Sequence, residues 1–506
     1  MSLHRRQFVI AATPVSIDES WRSVPIGAGL HLSYHQALPV ADTRDRDGGI
    51  WHLLGIALQA DPLQAPPLAE IARTRTHEVE ELVATWAGRW ILVGDGALRT
   101  DAGSLFACFY GPSEGDSLVV SSSPALVRDQ IGAGELSPPL RYEQGMDWFP
   151  PPASGFGRIR RLLPSQTLAL SNGERPVWPR PLMATRAEAP YDETLDQLET
   201  EIRTVLRNLA GTERRMWLAL TGGYDSRVLL AALWREELDF ATFTFEVPGM
   251  SDADRILPSL LAKEAGVPHH FIRREHFDVD RVRTFEAHIA GHTADLGREL
   301  YAFRQYDQLP ANGVEILTTL FELGSGYYGQ KLPSKPDEVV RSIEQAFGFA
   351  EHHAESFAHR EGIREWSRWI EAHPEPAMDW RDRFYWEQRG AGWAGAFFQG
   401  NDLIVESVSP VSCQSIMSAM LGIEPAKRRG KRWEVDLVYR MAPFLADHPY
   451  AVGGPLSARL RRGAAAFLHH PSKLRFATGR MRLIAARKLS SHVGSLVAAL
   501  ASVDLA

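Results

Sequence analysis

Met216-Trp217-Leu218-Ala219-Leu220-Thr221-Gly222-Gly223-Tyr224-Asp225-Ser226-Arg227-Val228-Leu229-Leu230-Ala231-Ala232-Leu233 is the stretch that decides the fold of this 506-residue chain. Residues 216–220 form a short apolar run that reads as a buried strand. Residues 228–233 continue apolar and suit a helix packed on that strand. Between them lies Thr-Gly-Gly-Tyr-Asp-Ser, a turn whose two glycines permit φ > 0 and close approach of a ligand to the backbone. The amides of the turn and of the helix N-terminus would then converge on one spot and favour an anion such as a phosphate. Ser226 suits a helix cap or a donor to a phosphate oxygen, and Asp225 is a hard oxygen ligand for Mg²⁺. An ordinary strand-to-helix turn, with Asp and Ser as caps, would fit the same residues.

Outward on the C-terminal side, residues 240–247 form a second β-type run, ended by Pro248-Gly249. A helix over 252–265 follows, capped by Ser251 or Asp252. Residues 269–272 read as a third strand. Strands alternating with helices of this length imply a parallel, doubly wound sheet, which binds ligands at the carboxyl ends of its strands. His269 and His270 point to opposite faces of a strand and read as structural rather than as a metal pair. The next strand starts at Val314 and runs towards a glycine-rich segment, Gly324-Ser325-Gly326-Tyr327-Tyr328-Gly329, with Glu322 as the nearest carboxylate. Residues 344–420 read as helical and aromatic-rich, with Glu387 and Arg389 in a stretch that is either a core stripe or one wall of a cleft. The tail carries the basic cluster Lys427-Arg428-Arg429-Gly430-Lys431-Arg432, then Lys473, then an amphipathic basic segment over 464–500 that suits a partner or a membrane surface.

Outward on the N-terminal side, residues 194–209 have helical spacing, and a Pro- and Ala-rich stretch over 180–191 reads as a linker. Residues 1–180 are β-rich, with strand-like runs at 52–58 and 88–93 and a helical period over 68–86. Arg5-Arg6 before a short apolar run superficially matches an export signal, but Asp18 and Glu19 follow quickly, and a first strand beginning near Gln7 fits better.

Net charge is −7, with 23% charged and 44% hydrophobic residues, which are ordinary globular values. That balance gives no electrostatic reason to expect nucleic acid. No run of apolar residues is long enough to span a membrane. Two cysteines, Cys108 and Cys413, make neither a disulfide framework nor a zinc site and read as core residues in a reducing cytoplasm.

Thr-Gly-Gly-Tyr-Asp-Ser resembles the pyrophosphate loop of the ATP pyrophosphatases, and among them that of asparagine synthetase and its relatives, β-lactam synthetase, carbapenam synthetase and the lasso-peptide cyclases. It is not a Walker A loop, because no Gly-Lys-Ser/Thr follows. Residues 88–93, then Arg99-Thr100-Asp101-Ala102-Gly103, then the serine-rich run 118–124 resemble in order the glutaminase domain of asparagine synthetase. Phe243-Thr244-Phe245-Glu246-Val247-Pro248-Gly249, with Val267-Pro268-His269-His270 later, resembles the family's second strand, which packs near adenine.

The resemblance implies an α/β protein. Residues 1–180 would be a β-sandwich domain of N-terminal-nucleophile (Ntn) hydrolase type, and residues 190–506 a parallel-sheet ATP-pyrophosphatase domain. It implies ATP and Mg²⁺ as cofactors. ATP would lie at Leu220, Thr221, Gly222, Gly223, Asp225, Ser226 and Phe245, and Mg²⁺ at Asp225 and Glu322, although the family carries Gly-x-Gly-Ala/Ser-Asp-Glu where Glu322 stands. It further implies Glu387 as a base, partnered by Tyr327 or Tyr328, and Lys431 or Lys473 at the α-phosphate. Ser2 stands where a glutaminase needs its nucleophilic cysteine, so that activity is expected to be lost, and nitrogen would come from ammonia or a substrate amine. The expected function is ATP-dependent amide-bond formation in peptide or natural-product biosynthesis, such as lasso-peptide cyclisation. The expected partners are a small-molecule or peptide carboxylate and a biosynthetic partner protein. The rival is a catalytically silent scaffold that kept the fold. Thiolation or tRNA modification suits neither the cysteine content nor the acidic charge.

Overall fold

The computed structural model describes residues 3–112, 118–134, 146, 148–170, 177–180, 189–246, 250–273, 279–293, 313–329, 331–334, 338–347, 357–375 and 378–451. The fold is mixed α/β, with two antiparallel sheets followed by a parallel one.

The first half folds into two six-stranded antiparallel sheets. One is ordered Arg160–Arg161, Phe109–Pro112, Leu118–Ser121, Phe8–Ala11, Leu30–His35, Trp21–Gly27; the other Val177–Pro179, Gln166–Ala169, Ala97–Thr100, Trp86–Gly94, Ile50–Gln59, Val40–Arg44. Alternate residues Phe8, Ile10 and Leu32 of the first meet Leu54, Ile91, Val93, Leu98 and Leu168 of the second, so the pair forms a sandwich. The helix expected over 68–86 is broken into short turns at Pro67–Ile71, Thr76–Glu78, Val79–Leu82 and Val83–Thr85. Side chains there take over the bonding: Thr74 Oγ1 donates back to Glu70 O (2.8 Å), and Thr76 Oγ1 donates to Asp45 (2.6 Å).

The second half is built on five parallel strands ordered His269–Ile272, Phe240–Phe245, Met216–Ala219, Val314–Ile316, Glu406–Val408. The chain steps outward twice from Met216–Ala219, then returns to its other side at Val314–Ile316. Strand order therefore reverses beside Met216–Ala219, and a crevice opens at the carboxyl ends of these two strands. Helix Tyr191–Ala210 buries Leu195, Leu198, Ile202, Val205, Leu206 and Leu209 along one face.

The two halves share apolar core. Ile56, Leu58 and Ala87 of the sandwich belong to the same cluster as Leu198, Met216 and Ile316. Arg89 makes a bidentate, fully buried pair with Asp402 (2.6 and 2.7 Å). Asp101, in the turn that was likened to the glutaminase, accepts from the amides of Gly103, Leu105 and Phe106 and from Ser412 Oγ (2.8 Å). Farther along this seam Arg161 bonds His292, which bonds Gln399 Oε1; Gln399 Nε2 donates to His288 O (3.0 Å), and His288 Nδ1 accepts from the His4 amide (3.2 Å). Most of the expected linker, 181–188, lies outside the described residues. Arg6 is buried and donates to Asp402 O (2.7 Å), so the arginine pair belongs to this seam. Among the described residues no helix is long and apolar enough to cross a membrane.

Candidate active site

The crevice at the strand reversal holds a cavity of about 360 Å³, lined by Thr221, Gly223, Tyr224, Asp225, Thr318, Glu322, Arg429, Gly430, Lys431 and Ala451. Three segments far apart in sequence supply its charged groups.

The first segment is the glycine turn and helix Asp225–Arg235. Neither Gly222 nor Gly223 has a positive φ, contrary to the sequence expectation. Gly222 is needed for space: a Cβ there would lie 2.9 Å from the Ala451 Cβ and 3.0 Å from Leu257 Cδ1. The loop amides are bonded within the protein. Thr221 N donates to Ser226 Oγ (3.1 Å), Gly222 N to Asp254 Oδ1 (3.1 Å) and Gly223 N to Thr221 Oγ1 (3.2 Å). Ser226 is thus spent inside the turn, and the helix has no side-chain cap. Asp225, on the first turn of that helix, reaches the cavity.

The second segment follows strand Val314–Ile316. Leu320 takes a left-handed conformation (φ 80°) and starts the 3₁₀ turn Phe321–Ser325. That turn is pinned from behind: Trp433 Nε1 donates to Gly324 O (2.9 Å), and the Phe321 and Trp433 rings stack in parallel at 6.0 Å. Glu322 is thereby held at the cavity, with Oε2 accepting from Ser325 Oγ (2.5 Å).

The third is the basic cluster. Helix Arg432–Met441 buries Trp433, Glu434, Leu437, Val438 and Met441, and its N-cap is Lys431 in a left-handed conformation (φ 53°, ψ 30°). Lys431 Nζ donates to Asp225 Oδ1 (2.7 Å) and Glu322 Oε1 (3.2 Å), and lies 3.5 Å from Glu434 Oε1. Burial works against the ammonium, but Glu434, Asp225 and Glu322 outweigh it and hold its pKa well above the usual lysine range. Glu434 is wholly buried, and neither of its oxygens accepts a hydrogen bond from a donor. Burial pushes its carboxyl well above the usual range; Lys431 opposes this, and Asp225 and Glu322 add to it.

The structure thus brings Thr221, Gly223, Asp225, Glu322 and Lys431 together and withdraws others. Leu220 is core, its amide and carbonyl bonded to Phe243 O (2.8 Å) and Thr244 Oγ1 (2.6 Å). Phe245, half-buried, packs edge-on against Phe243 and does not line the cavity. Glu387 is fully buried, accepting from Trp366 Nε1 (2.6 Å) and Arg383 Nε (3.1 Å), and so does not face a cleft. Lys473 lies outside the described residues. Tyr327 and Tyr328 pack beside Tyr385, at 5.5 and 6.4 Å between ring centres, and not against Glu387. His269 Nδ1 meets Thr242 Oγ1 (2.9 Å) and His270 packs on Trp217, a structural pair as expected.

Sequence reasoning missed Glu434, Tyr385 and Asp254. Glu434 had a signal: a lone carboxylate three residues after Lys431, on the face that carries Trp433, Leu437 and Val438. Tyr385 is buried, and its phenol is pushed well above its usual range by burial and then by Glu322, which marks it as a neighbour of that carboxylate. Among the described residues no group of three or more His, Cys, Asp or Glu side chains forms a metal cage. Two carboxylates, Asp225 and Glu322, nevertheless face one point. Hard oxygen donors of this number suit Mg²⁺, which keeps waters and takes its remaining ligands from phosphate.

No family model and no curated protein matches the chain. Among solved structures, the NMN synthetase of Francisella tularensis matches over 40% of this chain and 94% of its own, at 14% identity and a TM-score of 0.20. The allosteric regulatory enzyme of purine biosynthesis matches over 68% of this chain and 72% of its own, at 11% identity and a TM-score of 0.23. Likenesses this distant carry no argument about chemistry, which has to come from the cavity itself.

Proposed function

We propose that this chain is an ATP-dependent carbon–nitrogen ligase that activates a carboxylate as its acyl-adenylate. The supporting observation is the meeting of Asp225, Glu322 and Lys431, from three separate segments, at the strand reversal of a parallel sheet, with Arg429 lining the same cavity. In this reading the triphosphate enters the cavity beside Arg429 and Lys431, whose charges neutralise the phosphates. Asp225 and Glu322 would hold Mg²⁺, which supplies charge neutralisation at the pyrophosphate. A substrate carboxylate oxygen attacks the α-phosphorus, and the bond to the bridging oxygen of pyrophosphate breaks. An amine nitrogen then attacks the acyl carbon, the bond to AMP breaks, and the nitrogen loses a proton. Tyr385, with Tyr327 beside it under Arg389 (5.1 Å to the ring centre), borders Glu322 and offers an aromatic, cationic wall for the carboxylate substrate.

In the same reading residues 1–180 are an Ntn-type sandwich without glutaminase activity and residues 190–506 are the synthetase. Both thiols are buried, and burial pushes Cys108 and Cys413 far from the thiolate form, which supports reading the sandwich as lacking that activity. The substrate is taken to be a small natural-product or peptide acid, with lasso-type macrolactam closure as one case.

One observation favours the second reading, a silent scaffold: the amides of Thr221, Gly222 and Gly223 already have partners in the protein. ATP–pyrophosphate exchange across a panel of carboxylic acids separates the two. The ligase reading expects acid-dependent exchange that Asp225→Asn abolishes without changing the thermal melt. Exchange that persists in that variant counts against Asp225, and bound ATP with no exchange for any acid favours the scaffold.

A further inference from the structure

We infer that the Lys431 ammonium is a built-in stand-in for the divalent cation. It holds Asp225 and Glu322 together in the nucleotide-free protein and has to leave them before a metal can bridge the pair. The inference takes from the ligase reading only the identity of the incoming ligand, a metal-bound nucleotide.

Three observations carry it. Nζ already touches one oxygen of each carboxylate, at 2.7 and 3.2 Å, so a cation bridging the same oxygens and the ammonium exclude one another there. Two carboxylates aimed at one point repel unless something positive lies between them, and the fold supplies that charge from its own chain. Lys431 is also placed with care. It sits at φ 53°, a left-handed conformation that disfavours any residue with a side chain. The stacked and hydrogen-bonded Phe321, Gly324 and Trp433 fix the distance between its helix and Glu322. Finally, Glu434 is completely buried, has no donor on either oxygen, and lies 3.5 Å from Nζ. Its nearby oxygen gives the ammonium an acceptor to keep when the other two are surrendered, and so Glu434 serves as a positioning residue. Exchanging one positive charge for two, with the ammonium retained at the rim, turns a cavity matched to itself into one matched to phosphate.

The test uses the full-length, nucleotide-free protein and Mn²⁺ alone, followed by the electron paramagnetic resonance of free Mn²⁺. Lys431→Met is expected to bind Mn²⁺ at least about tenfold more tightly than wild type, because a competing charge has gone, while Lys431→Arg remains as weak as wild type. A folded Lys431→Met variant, judged by circular dichroism, that binds Mn²⁺ no better than wild type would overturn the inference. Should that variant not fold, the ¹³Cε resonance of Lys431 in the wild-type chain, assigned by its loss in Lys431→Arg, decides the matter. The signal is expected to move as Mg²⁺ is added, and a signal unmoved at the end of the titration would overturn the inference. Neither readout needs turnover, so metal-for-ammonium exchange without ATP–pyrophosphate exchange would sink the ligase reading alone.

Discussion

Arg227 directly follows the Asp-Ser pair of the glycine turn, yet its guanidinium points away from the cavity. It is fully buried and donates to the carbonyls of Leu445 (3.2 Å), His448 (2.8 Å), Pro449 (2.8 Å) and Gly222 (3.3 Å), with its centre 3.7 Å from the Tyr450 ring centre. Tyr450 stacks on Tyr224 at 4.3 Å, and the Ala451 amide donates to Gly222 O (2.7 Å). One side chain thus straps residues 445–451 across the turn. Arg227→Met takes the guanidinium from the carbonyls of Leu445, His448 and Pro449, each costing about 1–3 kcal/mol if left dry, while Gly222 O keeps the Ala451 amide. The expected result is a lower melting temperature and, where the ligase reading expects pyrophosphate to raise the wild-type melt, no such rise in the variant. Glu387→Ala should behave differently. It leaves the Arg383 guanidinium buried without its carboxylate, at a cost of about 3–5 kcal/mol. Stability therefore falls, but the folded fraction keeps wild-type pyrophosphate affinity; a variant that is fully stable but inactive would restore Glu387 to the chemistry. The sequence made Asp225 and Lys431 legible because a short motif and a basic cluster are local patterns. It could not expose Glu387 as a core residue, since an aromatic stripe and a cleft wall have the same spacing until the partners Trp366 and Arg383 are placed.

Most strands are legible as apolar runs bounded by turn residues, and Met216–Ala219, Phe240–Phe245 and His269–Ile272 fall where expected. Two elements were not legible. The period over 68–86 matches a helix, but the Thr74 hydroxyl bonds back to Glu70 O, Thr76 bonds out to Asp45, and the chain breaks into turns. Tyr385–Ala394 is a π-helix, a rare form frequent at functional sites, and it begins at the tyrosine whose phenol feels the charge of Glu322. Its widened turn is a matter of fit. Gly392 lies against Trp148, where a Cβ would stand 2.5 Å from Cδ1, and Arg161 Nη1 donates to Gly392 O (3.4 Å). Gly392→Ala is expected to destabilise by about 1–3 kcal/mol through overpacking. Gly134→Ala, with open space around it, serves as a control that leaves the melting temperature unchanged. Equal melts for the two variants would show that the π-helix yields to its neighbour.

Across the whole molecule the seam between sandwich and parallel sheet is polar at its middle and sensitive to acid. His288 donates from Nε2 to Gln399 O (2.9 Å) and accepts at Nδ1, an arrangement that the neutral ring satisfies and the charged ring does not. Burial pushes His288 down to about 3, and burial followed by Arg161 holds His292 well below its usual value. Each binds its proton in the unfolded chain near pH 6.5, before the folded chain does. Their stabilising contribution is therefore complete above that pH and is lost as pH falls below 6.5, for His288 down to about 3, by up to about 1.4 kcal/mol per pH unit for each ring. Buried Asp101 and Asp402, whose carboxyls are pushed up by burial, act with the opposite sign, so the histidine share is read from a variant. His288→Gln should melt with a shallower dependence between pH 6.5 and 4 than wild type, and identical slopes would refute the assignment. None of this seam was legible in sequence, because its partners lie as far apart as Arg6 and Asp402, 396 positions from one another.

That joint has one more consequence. Leu58 and Ala87 finish the same oily interior as Leu198 and Met216, so neither portion of the chain has a complete outer skin when made alone. Severed between residues 180 and 189 and expressed as two polypeptides, the halves should precipitate singly and dissolve as a stoichiometric pair when co-produced. The front half would then persist for the same reason a keel does: the other half is built onto it.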